Sequence, residues 1–248
     1  MSMPRKIRCA IESITDHGGR VYTVDLKPET SVPAFLPGQF LHLTVDDYDP
    51  ASFWPESRVF SIASSPRDRQ RITLCYSVKG RYTTKMETAL RVGGEVWIKL
   101  PYGDFVIADA SDSVLIAGGT GISAFTAFLE ALTPSSLRPV TLVYGARTPA
   151  LFLFQEMIFA QLAAVPKLQA LFFTETPNEA FARRMVALPR PPRCCTGRIS
   201  LGPLWAELEA PARQTFYLSG PPIMLKALGA ELVSRGVLPE RVRTDAWE

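Results

Sequence analysis

The chain is poor in the residues that metal and thiol chemistry need. Only two histidines, His17 and His42, occur in 248 residues, and both lie in the first half. That is too few for a metal hydrolase. The four cysteines are Cys9, Cys75, Cys194 and Cys195. None forms a C-x-x-C pair, which excludes the usual iron–sulfur and structural zinc frameworks carried by this chain alone. No G-x-S-x-G motif is present, so a nucleophile-elbow serine hydrolase is excluded as well. Net charge is small, +3 from 27 basic and 24 acidic residues, short of the basic stripe that nucleic acid demands. Long apolar runs are also missing. The most apolar stretch, residues 150–165, is broken by Gln155, Glu156 and Gln161, which marks an amphipathic helix rather than a membrane span. No signal peptide is read at the N-terminus, and the expected location is the cytoplasm.

What is present reads as two halves of ordinary soluble composition, 47% hydrophobic and 21% charged. The first hundred residues alternate with period two, as in Val21-Tyr22-Thr23-Val24-Asp25-Leu26, Phe40-Leu41-His42-Leu43-Thr44-Val45 and the run from Arg71 to Val78. Pro28, Pro33, Pro37-Gly38, Pro50, Pro55 and Gly93-Gly94 punctuate them. Short strands between turn signals predict a closed antiparallel barrel, interrupted by one helix over about 83–90. Near Ala110 the pattern changes. Short apolar strands (114–117, 140–144, 168–173 and 216–218) alternate with helices over about 122–132 and 151–164, which predicts a doubly wound parallel sheet. The Pro/Arg-rich residues 189–193 read as a loop. The expected architecture is therefore two domains, an antiparallel Greek-key β-barrel over residues 1–110 and an α/β domain over 111–248.

Gly118-Gly119-Thr120-Gly121-Ile122-Ser123-Ala124 follows the first parallel strand and opens a helix. That context turns a glycine-rich string into a phosphate-binding candidate, because backbone N–H groups and the helix dipole favour negative charge there. The standard dinucleotide fold would then place a carboxylate at the end of the next strand. This chain has Tyr144-Gly145-Ala146-Arg147 instead, so the standard NAD fold is not the expectation. In the barrel half, Arg58-Val59-Phe60-Ser61 and Gly80-Arg81-Tyr82-Thr83-Thr84 form a second candidate anion site, with a cation on a strand and hydroxyls at a helix start.

Six ordered motifs run through the chain: Pro37-Gly38-Gln39-Phe40, Arg58-x-Phe60-Ser61, Gly80-x-x-Thr83, Pro101-x-Gly103-x-Phe105, Gly118-Gly119-Thr120-Gly121-Ile122 and Ser219-Gly220-Pro221-Pro222-x-Met224. In this order they resemble the ferredoxin–NADP reductase superfamily, and within it the flavin reductases and oxygenase reductase components. The resemblance implies FAD in the barrel, held by Arg58, Val59, Phe60, Ser61, Tyr76, Val78, Gly80, Tyr82, Thr83 and Thr84. Arg58 would pair with the diphosphate, Phe60 would pack along the ribityl chain and ring, and Ser61 would bond near flavin N5 and O4. It implies NADH or NADPH in the α/β domain, held by Gly119, Thr120, Gly121, Arg147, Glu175, Gly220 and Pro221. Ser61, Ser219 and Trp247 would stand at the reacting rings, with Trp247 covering the flavin. Many members carry Cys where this chain has Ser219, and Pro where it has Ser123. Glu175, in Phe173-Thr174-Glu175-Thr176, would repel a 2′-phosphate and points to NADH, while Arg147 points the other way.

The activity so implied is hydride transfer from the nicotinamide dinucleotide to FAD, then release of electrons to a separate acceptor such as ferredoxin or an oxygenase component. Arg67, Arg69 and Arg71 are candidates for a face that docks an acidic ferredoxin. Two alternatives stand beside it: a free-flavin or ferric-chelate reductase, and a non-catalytic regulatory subunit that binds flavin or nucleotide. No metal and no nucleic acid enter any of these readings.

Overall fold

The computed structural model describes residues 2–108 and 112–245. By its internal contacts the chain separates into two compact units, Met1–Val106 with Thr126–Phe128, and Ile107–Phe125 with Leu129–Glu248. Ala110, the boundary read from sequence, lies outside the described residues.

The first unit holds β1 (Arg5–Asp16), β2 (Val21–Pro28), β3 (Phe40–Thr44), β4 (Arg58–Ser61), β5 (Ile72–Ser77), helix α1 (Arg81–Ala89) and β6 (Glu95–Tyr102). Its strands form one sheet in the order β4-β3-β6-β1-β2-β5, and every pairing is antiparallel. β6 sits between β1 and β3, the Greek-key crossover. Alternation sends Ile7, Cys9, Ile11, Val24, Leu26, Leu41, Leu43, Ile72, Leu74, Val96, Ile98 and Leu100 to one buried face, where Tyr82 and Met86 of α1 join them. Register shifts between Ile11 and Ser13 and between Phe40 and His42 mark bulges that bend the sheet. The two sheet edges then meet. Just past β4, the Ala63 N–H donates to the Thr73 carbonyl (2.8 Å), and the Ser64 hydroxyl donates to the Arg71 carbonyl (3.2 Å). The barrel is thus almost closed, which protects edges that would otherwise offer unpaired backbone groups.

The second unit holds β7 (Ser113–Gly118), α2 (Ser123–Ala131, except Thr126–Phe128), β8 (Val140–Ala146), α3 (Gln155–Ala164), β9 (Leu168–Thr174), α4 (Glu179–Val186), β10 (Arg193–Thr196), α5 (Leu201–Trp205), β11 (Thr215–Ser219), α6 (Pro222–Ser234) and β12 (Val242–Asp245). All six strands are parallel, in the order β10-β9-β8-β7-β11-β12. β7 is buried over its whole length, as a central parallel strand covered on both faces must be. The order reverses between β7 and β11, so a crevice opens beyond their carboxyl ends. Among the described residues no helix is long and apolar enough to cross a membrane.

Three boundaries differ from the sequence expectation for local reasons. α1 begins at Arg81 because Gly80 is its N-cap and Thr83 falls at the third helical position. α3 begins at Gln155 because Pro149–Leu151 forms a separate 3-10 turn and Phe154 adopts a left-handed φ of 57°. Arg193 leaves the Pro/Arg loop and opens β10.

Two of the six ordered motifs turn out to brace each other within the barrel unit. Gly38 has φ +95°, and a Cβ there would lie 2.4 Å from the Phe105 carbonyl oxygen. Gln39 is buried, accepts from the Leu36 N–H (2.9 Å) and donates to the Gly103 carbonyl (3.1 Å). Its amide thereby ties residues 36–40 to residues 101–105. Gln39→Met keeps the shape but leaves the Leu36 N–H and the Gly103 carbonyl without that partner. It is expected to cost about 1–3 kcal/mol, read as a lower urea midpoint at unchanged slope. An unmoved midpoint would show that the amide contributes nothing.

Candidate functional site

At the crevice of the α/β unit, β7 ends in Gly118, and Gly119–Ile122 makes one 3-10 turn before α2. β11 ends in Ser219, and Gly220-Pro221 leads into α6. These two loops touch through glycine. A Cβ on Gly121 would lie 2.3 Å from the Ser219 carbonyl oxygen and 2.7 Å from the Gly220 nitrogen. On Gly118 it would meet Met224 Sδ at 2.7 Å, and on Gly220 it would meet Met224 Cε at 2.7 Å. Gly119 is different: its φ is +56° and an added Cβ would meet nothing within 4 Å. Gly118, Gly121 and Gly220 therefore serve loop packing, while Gly119 presents an open backbone face at a helix start, which suits a phosphate. The Ser123 hydroxyl donates to the Thr120 carbonyl (2.9 Å) and braces the turn where many relatives of the expected family have Pro.

Behind this turn, the Ser219 hydroxyl donates to Asp245 Oδ2 (2.9 Å), and both side chains are buried. The two residues are register partners on β11 and β12. Asp245 was not singled out from sequence. Its only signal there is an acidic residue closing the last strand, which looks like any surface carboxylate until β12 is placed beside β11. Trp247 lies outside the described residues.

Three charged residues from consecutive strand ends gather on the other side of β7. Thr176 donates through its N–H (3.3 Å) and hydroxyl (3.1 Å) to the Arg147 carbonyl, and the Thr174 hydroxyl donates to the same oxygen (3.2 Å). The Gly197 N–H donates to the Thr174 carbonyl (2.8 Å). The ends of β8, β9 and β10 are thereby laced together. Among them, Glu175 has a partner that the sequence did not suggest. Its carboxylate pairs with Arg198 Nε at 3.4 Å. Arg198 was missed because it lies 23 residues further along the chain.

In the barrel unit, the Arg58 guanidinium lies over the Tyr82 ring, 4.8 Å from its centroid. It donates to the Ser57 carbonyl (2.9 Å) and pairs with Glu56 (3.3 Å), which also takes Arg81 (3.2 Å). Tyr82 is buried, and its hydroxyl accepts from the Val45 N–H (3.2 Å) and lies 3.0 Å from the Glu56 carbonyl. Tyr82 is thus the platform under Arg58. The Thr83 hydroxyl accepts from the N–H groups of Lys79 (2.9 Å) and Gly80 (3.1 Å), so its first task is to order the turn. The Thr84 N–H makes the first helical bond, to the Gly80 carbonyl (3.0 Å). Arg58, Arg81 and the start of α1 together make a cationic corner that fits a diphosphate.

On β4, Arg58 and Phe60 share one face and Val59 and Ser61 the other, by strand alternation. Phe60 meets the edge of Tyr76 (6.3 Å between centroids), which stacks on Tyr22 (5.2 Å). Burial raises the Tyr76 phenol well above its ordinary pKa and keeps it neutral. Val78 packs half-buried against the barrel core, and Ser61 is buried opposite Phe40. Of the arginines read as a docking face, Arg69 donates to the Val32 carbonyl (2.6 Å) and Arg71 pairs with Asp68 (3.7 Å). Arg71 stabilises its own turn, while Arg69 ties that turn to the distant segment at Val32.

Comparison with known proteins agrees with this geometry. Residues 115–229 match the oxidoreductase NAD-binding domain family. The toluate 1,2-dioxygenase electron transfer component of Pseudomonas putida is 26% identical over 211 residues, 83% of this chain and 56% of that protein. The NAD(P)H-flavin reductase of Aliivibrio fischeri is 33% identical over 151 residues, 57% of this chain and 61% of that protein. The chain therefore spans little more than half the length of these relatives. The flavohem-like FAD/NAD-binding domain of nitric oxide dioxygenase from Vibrio cholerae O1 biovar El Tor shares the fold, with TM-score 0.73 at 20% identity over 96% of this chain and 97% of that one. The family match is thus confined to residues 115–229, and the chain as a whole shares the fold of that solved FAD/NAD-binding domain.

Proposed function

We propose that this chain is a flavin-dependent NAD(P)H oxidoreductase that delivers electrons to a separate acceptor, a ferredoxin or the oxygenase component of a two-protein system. Residues 1–110 would hold FAD and residues 111–248 the nicotinamide dinucleotide. The observation that carries this reading is the open Gly119 turn at the strand-order reversal, beside the buried Ser219–Asp245 pair. An anion cradle at that position, inside a matched NAD-binding domain, suits a dinucleotide diphosphate.

Bound FAD would accept a hydride and supply the electron chemistry. The residues of this chain do the rest. Arg58 and Arg81, with the N-terminus of α1, balance the flavin diphosphate. Phe60 and Tyr76 offer an apolar wall, and Tyr82 fixes the angle of Arg58 from below. Asp245 orients the Ser219 hydroxyl, so that this group keeps one position beside the nicotinamide. The flavin-covering role of Trp247, outside the described residues, enters this reading on the family resemblance alone. A cytoplasmic location accords with four cysteines that are all free thiols.

A second reading, reduction of free flavin, draws on the higher identity to the Aliivibrio flavin reductase over the matched stretch. Purification separates the two. A yellow protein with stoichiometric FAD, bleached anaerobically by NADH or NADPH, supports the first reading. A colourless protein that turns over added flavin supports the second, and a colourless protein inert to both ends the proposal.

Two substitutions test the two cradles. Arg58→Ala is expected to weaken FAD binding by roughly 1–3 kcal/mol, the scale of a hydrogen bond to a charged group. Unchanged FAD retention after dialysis would remove Arg58 from that role. Gly121→Ala forces a methyl group into the Ser219 carbonyl and is expected to destabilise the loop pair by roughly 1–3 kcal/mol, as overpacking does. Its signature is weaker NADH binding at unchanged FAD content. Equal NADH affinity in the variant would show that the two loops need no such closeness.

A further inference from the structure

The cationic corner of the barrel unit already holds an anion of its own, the carboxylate of Glu56. Its Oε1 lies 3.3 Å from Arg58 Nη2, and its Oε2 lies 3.2 Å from Arg81 Nη2. One carboxylate thus serves two guanidinium groups carried by two different elements, β4 and α1. Two cations and one anion leave the corner at +1. Lys85, the other cation near the Tyr82 ring, is paired with Asp46 instead.

The carboxylate is not what fixes the chain at this point. The Glu56 carbonyl lies 3.0 Å from the Tyr82 hydroxyl. The Trp54 indole N–H donates to Ser57 Oγ (2.9 Å), and the Ser57 carbonyl accepts from Arg58 (2.9 Å). Backbone and neighbours hold the residue in place, and its side chain reaches across to both arginines. All three side chains are open to water, with exposures of 39% for Glu56, 47% for Arg58 and 87% for Arg81. Ion pairs so exposed contribute little and exchange partners readily. A diphosphate carries more negative charge, and its oxygens match a planar guanidinium fork, so it is the stronger partner for both arginines.

We propose that Glu56 is a built-in rival of the flavin diphosphate for Arg58 and Arg81, which FAD displaces on binding. Displacement breaks both ion pairs, and the carboxylate, two residues before Arg58 in the chain, stays close to the incoming phosphates. Glu56 therefore lowers the affinity for a flavin that carries a diphosphate. It leaves untouched the affinity for a flavin that carries none, and so it sets how far the chain prefers FAD to riboflavin. This assignment rests on the flavin reading above and adds to it the residue that governs how firmly FAD is retained.

The test uses the full chain, prepared without flavin, and its variants Glu56→Gln, Arg81→Ala and the two combined. Quenching of flavin fluorescence gives the dissociation constants of FAD and riboflavin, and calorimetry gives that of inorganic pyrophosphate. Glu56→Gln is expected to tighten FAD about three- to tenfold, the scale of releasing two exposed ion pairs. Riboflavin affinity is expected to stay the same, and pyrophosphate to bind more tightly. The urea midpoint is expected to hold, because the carboxylate does not anchor the chain. In the Arg81→Ala background the gain is expected to shrink, because one of the two pairs is already gone. Weaker FAD binding in Glu56→Gln would show that the carboxylate arranges the arginines for the diphosphate, and overturns the assignment. A gain shared equally by riboflavin overturns it too. If FAD binds and Glu56→Gln leaves its affinity as it was, this assignment falls and the flavin reading stands. If the chain takes up no flavin while pyrophosphate binds more tightly to Glu56→Gln, the rival anion stands and the flavin reading falls.

Discussion

The closeness of two loops is the constraint on which the α/β unit depends. Where strand order reverses, the chain after β7 and the chain after β11 leave the sheet side by side, and both must turn into helices. Side chains on Gly118, Gly121 or Gly220 would collide with Met224 or with the backbone of the other loop. Without those side chains the loops fit together, Ser219 comes to rest against Asp245, and the single open glycine, Gly119, faces away from the packing. A motif usually explained by ligand approach is here mostly a motif of chain packing. The part with an open backbone face is one residue wide.

The same division runs through the barrel. Gln39 and Gly38 brace residues 101–105, Tyr82 supports Arg58, and Thr83 orders the turn at Gly80. Each of these residues belongs to a string that carries the family resemblance. Their visible work is one step removed, holding the groups that would meet a cofactor. A recurring string in such a chain can mark the scaffold of a site as readily as its contact surface, and only hydrogen bonds and close approaches separate the two.

This also explains how much could be read without a structure. Strand alternation in the first half, buried apolar strands in the second and the glycine turn between strand and helix are local signals, and they gave the two architectures and the place of the turn. α1 and α3 were misplaced by a few residues because a glycine cap and a left-handed Phe154, respectively, decide their starts. The pairs Ser219–Asp245 and Glu175–Arg198 could not be seen. They join residues 26 and 23 apart, across parallel strands whose neighbours are set by sheet order rather than by sequence. Glu175 was read without Arg198 for that reason, and Asp245 looked like nothing in particular.

Those two pairs differ in what they permit. The Ser219–Asp245 hydrogen bond is buried, where a carboxylate stripped of a partner is costly, so the hydroxyl has one orientation and keeps it. The Glu175–Arg198 pair stands in water, where exchange of partners costs little. Burial alone thus gives the two pairs opposite characters, a fixed hydroxyl on one side of β7 and an exchangeable charge on the other.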